Sequence, residues 1–271
     1  METPQHCLLS IDQGIAHVSF NRPEKRNALH MAAWKEMQQI FEHLDSHEEV
    51  RAIVLSGEGK LFCSGIDLEL LMSVQQFEQM SCQGRKREKI RDFVLTLQNT
   101  INAIERCRKP VLAAIHGGCI GGGVDIVAAC DMRYCTEDAY FSIKEVDMGL
   151  VADLGTLQRL PKLISPAMVA EMAYTARNVP ADEALKIGLV NRVLPDRTTL
   201  IDEVKGIAAT IAAKSPLVIR GTKQMLLYSR DHTVPEALDY MATWNAAMFL
   251  SEDLTEAFQA FMQKRTPAYK D

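Results

Sequence analysis

The chain has 271 residues, of which 47% are hydrophobic and 24% are charged, and its formal net charge is −5 at pH 7. This composition is typical of a folded globular protein and excludes a disordered or fibrous one. The acidic balance, with one short basic cluster at Arg85–Lys89, disfavours nucleic-acid binding. The length allows one main α/β domain with an appended region.

The cysteines and the two termini give an expectation for the cellular compartment of the protein. The 7 cysteines form an odd set without a Cys-x-x-Cys pair, which suggests neither a disulfide framework nor a zinc site. The N-terminus lacks a basic segment followed by an apolar one, and no apolar run approaches the roughly 18 residues of a membrane span. The C-terminal Ala-Tyr-Lys-Asp is not a peroxisomal address. We therefore expect a cytoplasmic protein with no membrane span.

In the first 45 residues or so, apolar residues recur first with the period of a strand and then with that of a helix. Cys7–Ile11 and Ala16–Ser19 have the period of strands, and the turn residues at 12–14 join them into a hairpin. Apolar residues from Met31 to Leu44 recur with helical spacing. A hairpin followed by a helix is thus predicted to open the fold.

Two strand–loop–helix units follow in the middle of the chain, and each carries glycines in its loop. The first unit has a strand at Arg51–Leu55, a loop at Leu61–Asp67 and helical segments across much of Leu68–Arg106. The second unit has a buried-type strand at Pro110–Ile115, a loop at His116–Gly123 and a helix at Val124–Cys130.

A strand pattern at Met132–Cys135 follows the second unit, and from about Leu154 onward the chain is predominantly helical. The one strand-like exception is 189–194, and the chain divides near residue 195 into a core, 1–195, and a helical region, 196–271. Apolar residues of that region pack either on the chain's own core, which their spacing favours, or on a neighbouring subunit. These residues are Met241, Trp244, Met248, Phe258, Phe261 and Met262; the predicted helices are Ile201–Ala213, Pro216–Ser229, Val234–Leu250 and Leu254–Lys264.

A glycine run between a strand and a helix leaves backbone N–H groups uncovered at the positive end of the helix dipole. The run at Gly121–Gly123 could therefore bind developing negative charge, or could merely permit a tight turn. Its spacing fits neither a dinucleotide fingerprint nor a phosphate-binding loop. A second N–H from the loop at 61–67 would complete an oxyanion hole.

The two loops also resemble a known family. Phe62–Asp67, together with HGGCIGGGVDIVAACD at 116–131, is similar to the enoyl-CoA hydratase/isomerase (crotonase) superfamily. The resemblance implies an α/β fold, a crotonase-type spiral of repeated ββα units with a C-terminal helical layer. It spans essentially the whole chain, including Asn21–Pro23, Asn27–Leu29, Gly155–Pro161 and Ala181–Val193.

The resemblance implies a substrate and the groups that bind it. The substrate would be an acyl-CoA, and the backbone N–H groups of Ile66 and Gly122 would hold its thioester oxygen. Ser64, Gly65, Ile66, Asp67 and Leu68 would line the CoA path. A homotrimer or homohexamer is expected because relatives commonly form trimers or paired trimers.

Three acids lie near the glycine run. Asp125 follows Gly122 by about one helical turn and can share its face, although first-turn acids are also common partners of the helix dipole. Asp153 precedes a helical segment and could be an N-cap. Clustered carboxylates resist simultaneous ionisation, so with Glu145 they could form an acid–base set. Asp147 has no special claim.

The acids narrow the resemblance further. The segments GGGVD, KEVDMGL and ADLGTLQRLP are especially similar to the Δ3,5-Δ2,4-dienoyl-CoA isomerases. This resemblance implies that Asp125, Glu145 and Asp153 are catalytic. By that resemblance Asp153 takes the proton from C2, Glu145 returns one at C6 and Asp125 supports the pair. No metal or redox cofactor is expected. The alternatives are an enoyl-CoA hydratase and a non-catalytic binding protein of the same fold.

Overall fold

Two β-sheets form the framework of the computed structural model, which describes residues 3–271. The strands are β1 (Cys7–Asp12), β2 (Ile15–Phe20), β3 (Ala52–Gly57), β4 (Val111–Ile115), β5 (Gly118–Ile120), β6 (Met132–Thr136), β7 (Tyr140–Ser142), β8 (Val179–Pro180) and β9 (Arg192–Leu194). The larger sheet has the strand order β1-β2-β3-β4-β6-β9, and the smaller one has the order β5-β7-β8.

The helices lie between and after these strands. Short 3₁₀ turns, among them Ser73–Gln79 and Glu145–Met148, supplement them. The α-helices are α1 (Met31–Ser46), α2 (Leu68–Met72), α3 (Gln83–Arg106), α4 (Gly122–Ala129), α5 (Thr156–Arg159), α6 (Pro166–Thr175), α7 (Ala181–Lys186), α8 (Arg197–Ala212), α9 (Pro216–Asp231), α10 (Val234–Met248) and α11 (Glu252–Gln263).

Successive units of the chain contribute one strand to each sheet. In the larger sheet β1 and β2 pair as an antiparallel hairpin, and the remaining neighbours are parallel. The smaller sheet is extended by two single bridges, Leu29 with Ile66 and Cys63 with Cys119. Thus β4 and β5, and then β6 and β7, repeat the same step around the molecule. This repetition confirms the predicted spiral of ββα units.

The central strand β3 is buried on both faces, which explains its continuous apolar sequence. Ile53 and Leu55 point into the main core with α1, where the side chain of Trp34 is fully buried. On the opposite face Ala52 and Val54 pack against α8. Each large apolar side chain removed from water in this way contributes roughly 1.5–3 kcal/mol before the cost in conformational entropy.

The predicted loop after β4 was wrong in part. The segment His116–Gly123 is not a continuous loop, because β5 forms within it and pairs in parallel with β7. Neither strand exceeds 3 residues, so alternation of apolar and polar residues had no room to develop. Both strands exist because they hydrogen-bond to each other, which no pattern within either one encodes.

The C-terminal region differs from the prediction that its apolar side chains pack on the chain's own core. Phe258, Phe261 and Met262 do not contact the chain's own core: their exposed fractions are 64%, 83% and 83%. By contrast, α8 packs firmly on the larger sheet. The boundary near residue 195 stays a prediction.

None of the helices within residues 3–271 combines the length and the apolar character needed to cross a membrane.

The cysteines are free thiols, and Cys82 is the exposed one among them. Burial raises the pKa of Cys63 and Cys130 to about 12, so these thiols stay protonated and behave as small apolar groups.

Candidate active site

Two glycine loops, one after β3 and one after β5, approach each other at Gly65 and Gly122. A Cβ atom on Gly65 would lie 2.8 Å from the carbonyl oxygen of Ile120 and 2.9 Å from the amide nitrogen of Gly122. The φ angle of Gly65 is +87°, in the region that side chains disfavour. Only glycine therefore allows the two backbones this close an approach.

The neighbouring hydrogen bonds set the direction of the Ile66 amide. Leu29 N donates to Gly65 O at 2.8 Å, and Asp67 N donates to Leu29 O at 3.0 Å. Since alternate peptide groups of an extended chain point to opposite sides, the N–H of Ile66 points away from Leu29. Within the described chain, neither this N–H nor that of Gly122 donates a hydrogen bond to the protein.

A tryptophan supports the two loops from the core. Trp34 on α1 donates from Nε1 to the carbonyl oxygen of Leu29 at 3.0 Å. Its ring lies 3.4 Å from the position that a Gly122 side chain would take. The Gly122 amide is therefore held beside a fully buried aromatic ring, and the same ring fixes Leu29, the bridge partner of Ile66, so that both donors are preorganised.

Asp125 lies on α4 one turn beyond those amides and is 1% exposed. Its Oδ1 accepts the backbone N–H of Thr156, the first residue of α5, at 2.6 Å. Burial raises the pKa of Asp125 to about 7; the bond from Thr156 opposes this rise, and the charges of Glu145 and Asp153 add to it. Near neutral pH this carboxyl group can therefore hold or release a proton.

Glu145 begins the 3₁₀ turn that follows β7. Its Oε1 lies 3.1 Å from the position that a Gly121 side chain would occupy, which places the carboxyl group beside the glycine run. Its Oε2 is buried and finds no hydrogen-bond partner among residues 3–271. Burial raises the pKa of Glu145, and the charge of Asp153 raises it further. An unpartnered buried oxygen favours the neutral acid.

Asp153 lies just before α5 and remains exposed to solvent in the single chain. Burial of part of the group raises its pKa, although exposure keeps the ionised form hydrated. The N-cap position of α5 belongs to Gly155, so capping is not the role of Asp153. Its carbonyl oxygen accepts Gln98 Nε2 at 2.6 Å, which leaves its carboxylate free to act.

An apolar cavity opens next to Glu145. Its volume is about 340 Å³, and Glu145 is the one charged residue in its lining. The side chains come from the 143–152 segment, α5 and α6, including Ile143, Leu150, Ala152, Leu157, Val169 and Ala173. Such a cavity suits an aliphatic chain that continues past the carboxyl group.

Comparisons with known proteins identify the family of the chain. The sequence matches the profile described as Enoyl-CoA hydratase/isomerase over residues 10–271. The chain belongs to the enoyl-CoA hydratase/isomerase family. The family resemblance predicted from the two loops is thereby confirmed.

Individual members of the family are also similar. A mitochondrial Delta(3,5)-Delta(2,4)-dienoyl-CoA isomerase of Mus musculus is 50% identical over 257 residues, which cover 94% of this chain and 79% of the relative. A peroxisomal protein of the same name from Arabidopsis thaliana is 50% identical, with 95% and 93% covered. The crystal structure of an enoyl-CoA hydratase from Bacillus anthracis superposes with a TM-score of 0.88 at 30% identity, covering 98% and 99% of the two chains.

The remaining residues predicted for this family's CoA path have mixed surroundings. Asp67 is engaged in the protein itself: Oδ2 accepts Arg22 at 2.5 Å and Oδ1 accepts Glu69 N at 3.0 Å. Leu68 is 59% exposed, and Ser64 is half-buried. Their place on a substrate path stays a prediction.

Sequence reasoning missed the groups that hold the acids. Thr156 and Arg159 stand within Gly155–Pro161, a segment singled out only for its family resemblance. Glu105, which accepts from Arg159, and Gln98, which donates to the carbonyl oxygen of Asp153, both lie on α3, far away along the chain. A polar stripe on an otherwise amphipathic helix was the available signal. Across residues 3–271, no three His, Cys, Asp or Glu side chains gather in a way that could hold a metal ion.

Proposed function

We propose that this family member is a Δ3,5-Δ2,4-dienoyl-CoA isomerase. The observation that carries the proposal is the combination of an exposed acid, Asp153, with the half-buried Glu145, whose Oε2 is buried without a partner and which lies beside the glycine run and its free amide. The 50% identity to proteins bearing that name supports the same reaction. The reaction moves two conjugated double bonds one position toward the thioester.

The first step is removal of a proton from C2. Asp153 is the base, because its exposed carboxylate is the acid of the set that ionises with the least loss of hydration. Electrons move onto the thioester oxygen as a dienolate forms. The N–H groups of Ile66 and Gly122 donate to that oxygen, and each such donor is worth roughly 2.7–4 kcal/mol in related acyl chemistry.

The second step returns a proton at C6. Glu145 is the donor, since burial and its unpartnered Oε2 favour the protonated form and it lines the apolar cavity. The rest of the acyl chain occupies that cavity, where exclusion of water suppresses hydration. One proton leaves C2 and one arrives at C6, so the product is an isomer. Asp125, whose own pKa is raised by burial and by the charges of Glu145 and Asp153, supports the pair.

Several further properties belong to the proposal. The reaction uses no metal or redox cofactor, so activity should survive dialysis against a chelator. We propose a homotrimer or homohexamer, which would cover apolar side chains such as Leu250, 94% exposed in the single chain. Cytoplasmic localisation stays a prediction, which the relatives' names, mitochondrial and peroxisomal, do not support.

The deciding experiment offers the purified protein two substrates. With a 3,5-dienoyl-CoA we expect ultraviolet absorbance of the conjugated 2,4-dienoyl thioester to increase. With a 2-enoyl-CoA we expect slow hydration or none. Faster water addition than diene shift would make the protein an enoyl-CoA hydratase. No turnover of either, with acyl-CoA still bound, would make it a binding protein.

The roles of the two acids are separated by isotope exchange in D₂O. Glu145→Gln should lose isomerisation by about 10²–10⁴-fold, while exchange of the C2 proton continues through Asp153. Asp153→Asn should lose both. Asp147→Asn is the matched control, because Asp147 lies in the same 3₁₀ turn but is exposed and paired with Lys144 at 2.8 Å. The reverse exchange pattern would interchange the two roles.

A further inference from the structure

One face of α3 carries three polar side chains next to the segment that contains Asp153. Gln98, Asn102 and Glu105 follow the helical spacing that aligns residues on one side. Gln98 donates to the carbonyl oxygen of Asp153 at 2.6 Å. Asn102 and Glu105 accept from Arg159 at the end of α5. The helix thus holds this segment at both ends.

Arg159 is the centre of the network. Its guanidinium forms a two-pronged pair with Glu105, Nε to Oε1 at 3.1 Å and Nη2 to Oε2 at 3.0 Å, and reaches Asn102 at 2.8 Å. Arg230, near the end of α9, also donates to Glu105 at 2.5 Å. Burial alone would raise the pKa of Glu105, but the bonds from both arginines outweigh it and hold the pKa low. The pair is therefore permanently charged near neutral pH.

The guanidinium also lies directly on the backbone that precedes α5. A Cβ on Gly155 would be 1.9 Å from Arg159 Nη1, so only a glycine leaves room for the guanidinium there. Gly155 has φ +129°, which reverses the chain between Asp153 and Thr156. Nη1 further approaches the carbonyl oxygen of Leu154 at 3.5 Å. The turn is thus closed over a buried charge.

The turn at Gly155 affects the placement of two acids. Asp153 lies at its start, and Thr156, whose N–H donates to Asp125, lies at its end. Loosening Arg159 would therefore move a donor of Asp125 and the backbone of Asp153 together. Loosening Gln98 would move Asp153 alone.

We propose that Arg159, held by Glu105, is a positioning residue that fixes Asp125 and Asp153 for proton transfer, and that Gln98 fixes Asp153 from the same helix. The inference rests on the proposed isomerase for its kinetic effect, but the placement of Asp125 can be measured without turnover. Neither Arg159 nor Gln98 touches the reacting atoms. Their contribution is the geometry of the acids.

The test compares Arg159→Lys with Gln98→Met. Lysine keeps the charge but cannot make the forked contact, so kcat should fall about 10- to 100-fold with KM within about twofold of the wild type. The infrared band of the protonated carboxyl that Asp125→Asn removes should persist to higher pH in Arg159→Lys, since a bond to the ionised form has been weakened. Gln98→Met should lower kcat without moving that band.

The matched control is Asp131→Asn, which breaks another buried ion pair, that with Lys223 at 2.7 Å. It should lower thermal stability while kcat and the carboxyl titration stay unchanged. If Arg159→Lys loses stability but keeps both readouts, like the control, the positioning role is refuted. If the wild type shows no isomerase activity, the proposed function fails, whereas the titration arm still decides the role of Arg159.

Discussion

At the scale of one residue, the burial of Asp125 affects both the stability of the protein and the chemistry of the site. Its carboxyl group is buried and its one backbone donor, Thr156, does not compensate for lost hydration, so its pKa rises to about 7. Keeping such a group ionised costs stability. The same burial makes the group a proton carrier near neutral pH.

The pH dependence of stability follows from that pKa. In the unfolded chain Asp125 loses its proton near pH 4, whereas in the folded protein it does so near 7. Between these values only the folded state keeps the proton, so the stabilisation is complete below about pH 4 and is lost as the pH rises through 7. Its ceiling is about 4 kcal/mol.

Asp125→Asn should remove this dependence, because the amide oxygen still accepts Thr156 N–H and carries no charge. We expect the variant to be more stable than the wild type at pH 8 and to differ little from it at pH 4. Thermal melting at intervals between pH 4 and 8 measures the difference. A constant difference across that range would contradict the shifted titration of Asp125.

At the scale of elements, the two glycine loops matter through their approach to each other. β3 and the short β5 deliver these loops, and Gly65 allows them to meet. The donors are backbone groups, so side-chain substitutions at Ile66 leave them in place. The informative substitution is one that separates the backbones.

Gly65→Ala should push the Ile66 amide away from the Gly122 amide, since its Cβ would lie 2.8 Å from Ile120 O. We expect kcat to fall about 10²-fold or more. Gly188→Ala is the matched control: its φ is +80°, nearly that of Gly65, but nothing lies within 4 Å of its Cβ. The positive φ should cost both variants about 1–2 kcal/mol of stability, and Gly65→Ala should lose more because its Cβ also meets backbone atoms. An equal loss of kcat in both would argue against an oxyanion hole here.

At the scale of the whole molecule, the C-terminal helices differ from the sheets in what they bury. No residue of α10 is buried, and on α11 only Ala260 is. Several large apolar side chains there face solvent in the single chain: Phe249, Leu250, Phe258, Phe261 and Met262. Exposed apolar side chains grouped in one region of a chain are typical of subunit interfaces.

Light scattering should give a mass three or six times the 30.3 kDa of the chain. Phe261→Glu, which places a charge on a side chain that is 83% exposed here, should reduce that mass. The control Leu8→Glu alters an apolar residue on the edge strand β1, 49% exposed, and should keep the assembly intact. A wild-type mass equal to one chain would exclude the proposed oligomer.

How much could be predicted from sequence depends on the range of the interactions. The strands of the larger sheet and helices such as α1 and α9 were predicted within a few residues, because apolar periodicity reports burial locally. The two glycine loops were also located from the sequence, while the catalytic roles of the acids stay predictions. By contrast, β5 and β7 escaped prediction because each is short and defined only by its partner.

The sequence by itself determined which chemical groups are available: two glycine loops, acids at 125, 145 and 153, and membership of a family with that arrangement. Only the tertiary structure decided how those groups are held. Asp125 meets Thr156 across 31 residues, and Asp153 meets Gln98 across 55. The physical reason is that periodicity encodes burial along one element, whereas a hydrogen bond between elements depends on how the whole chain packs.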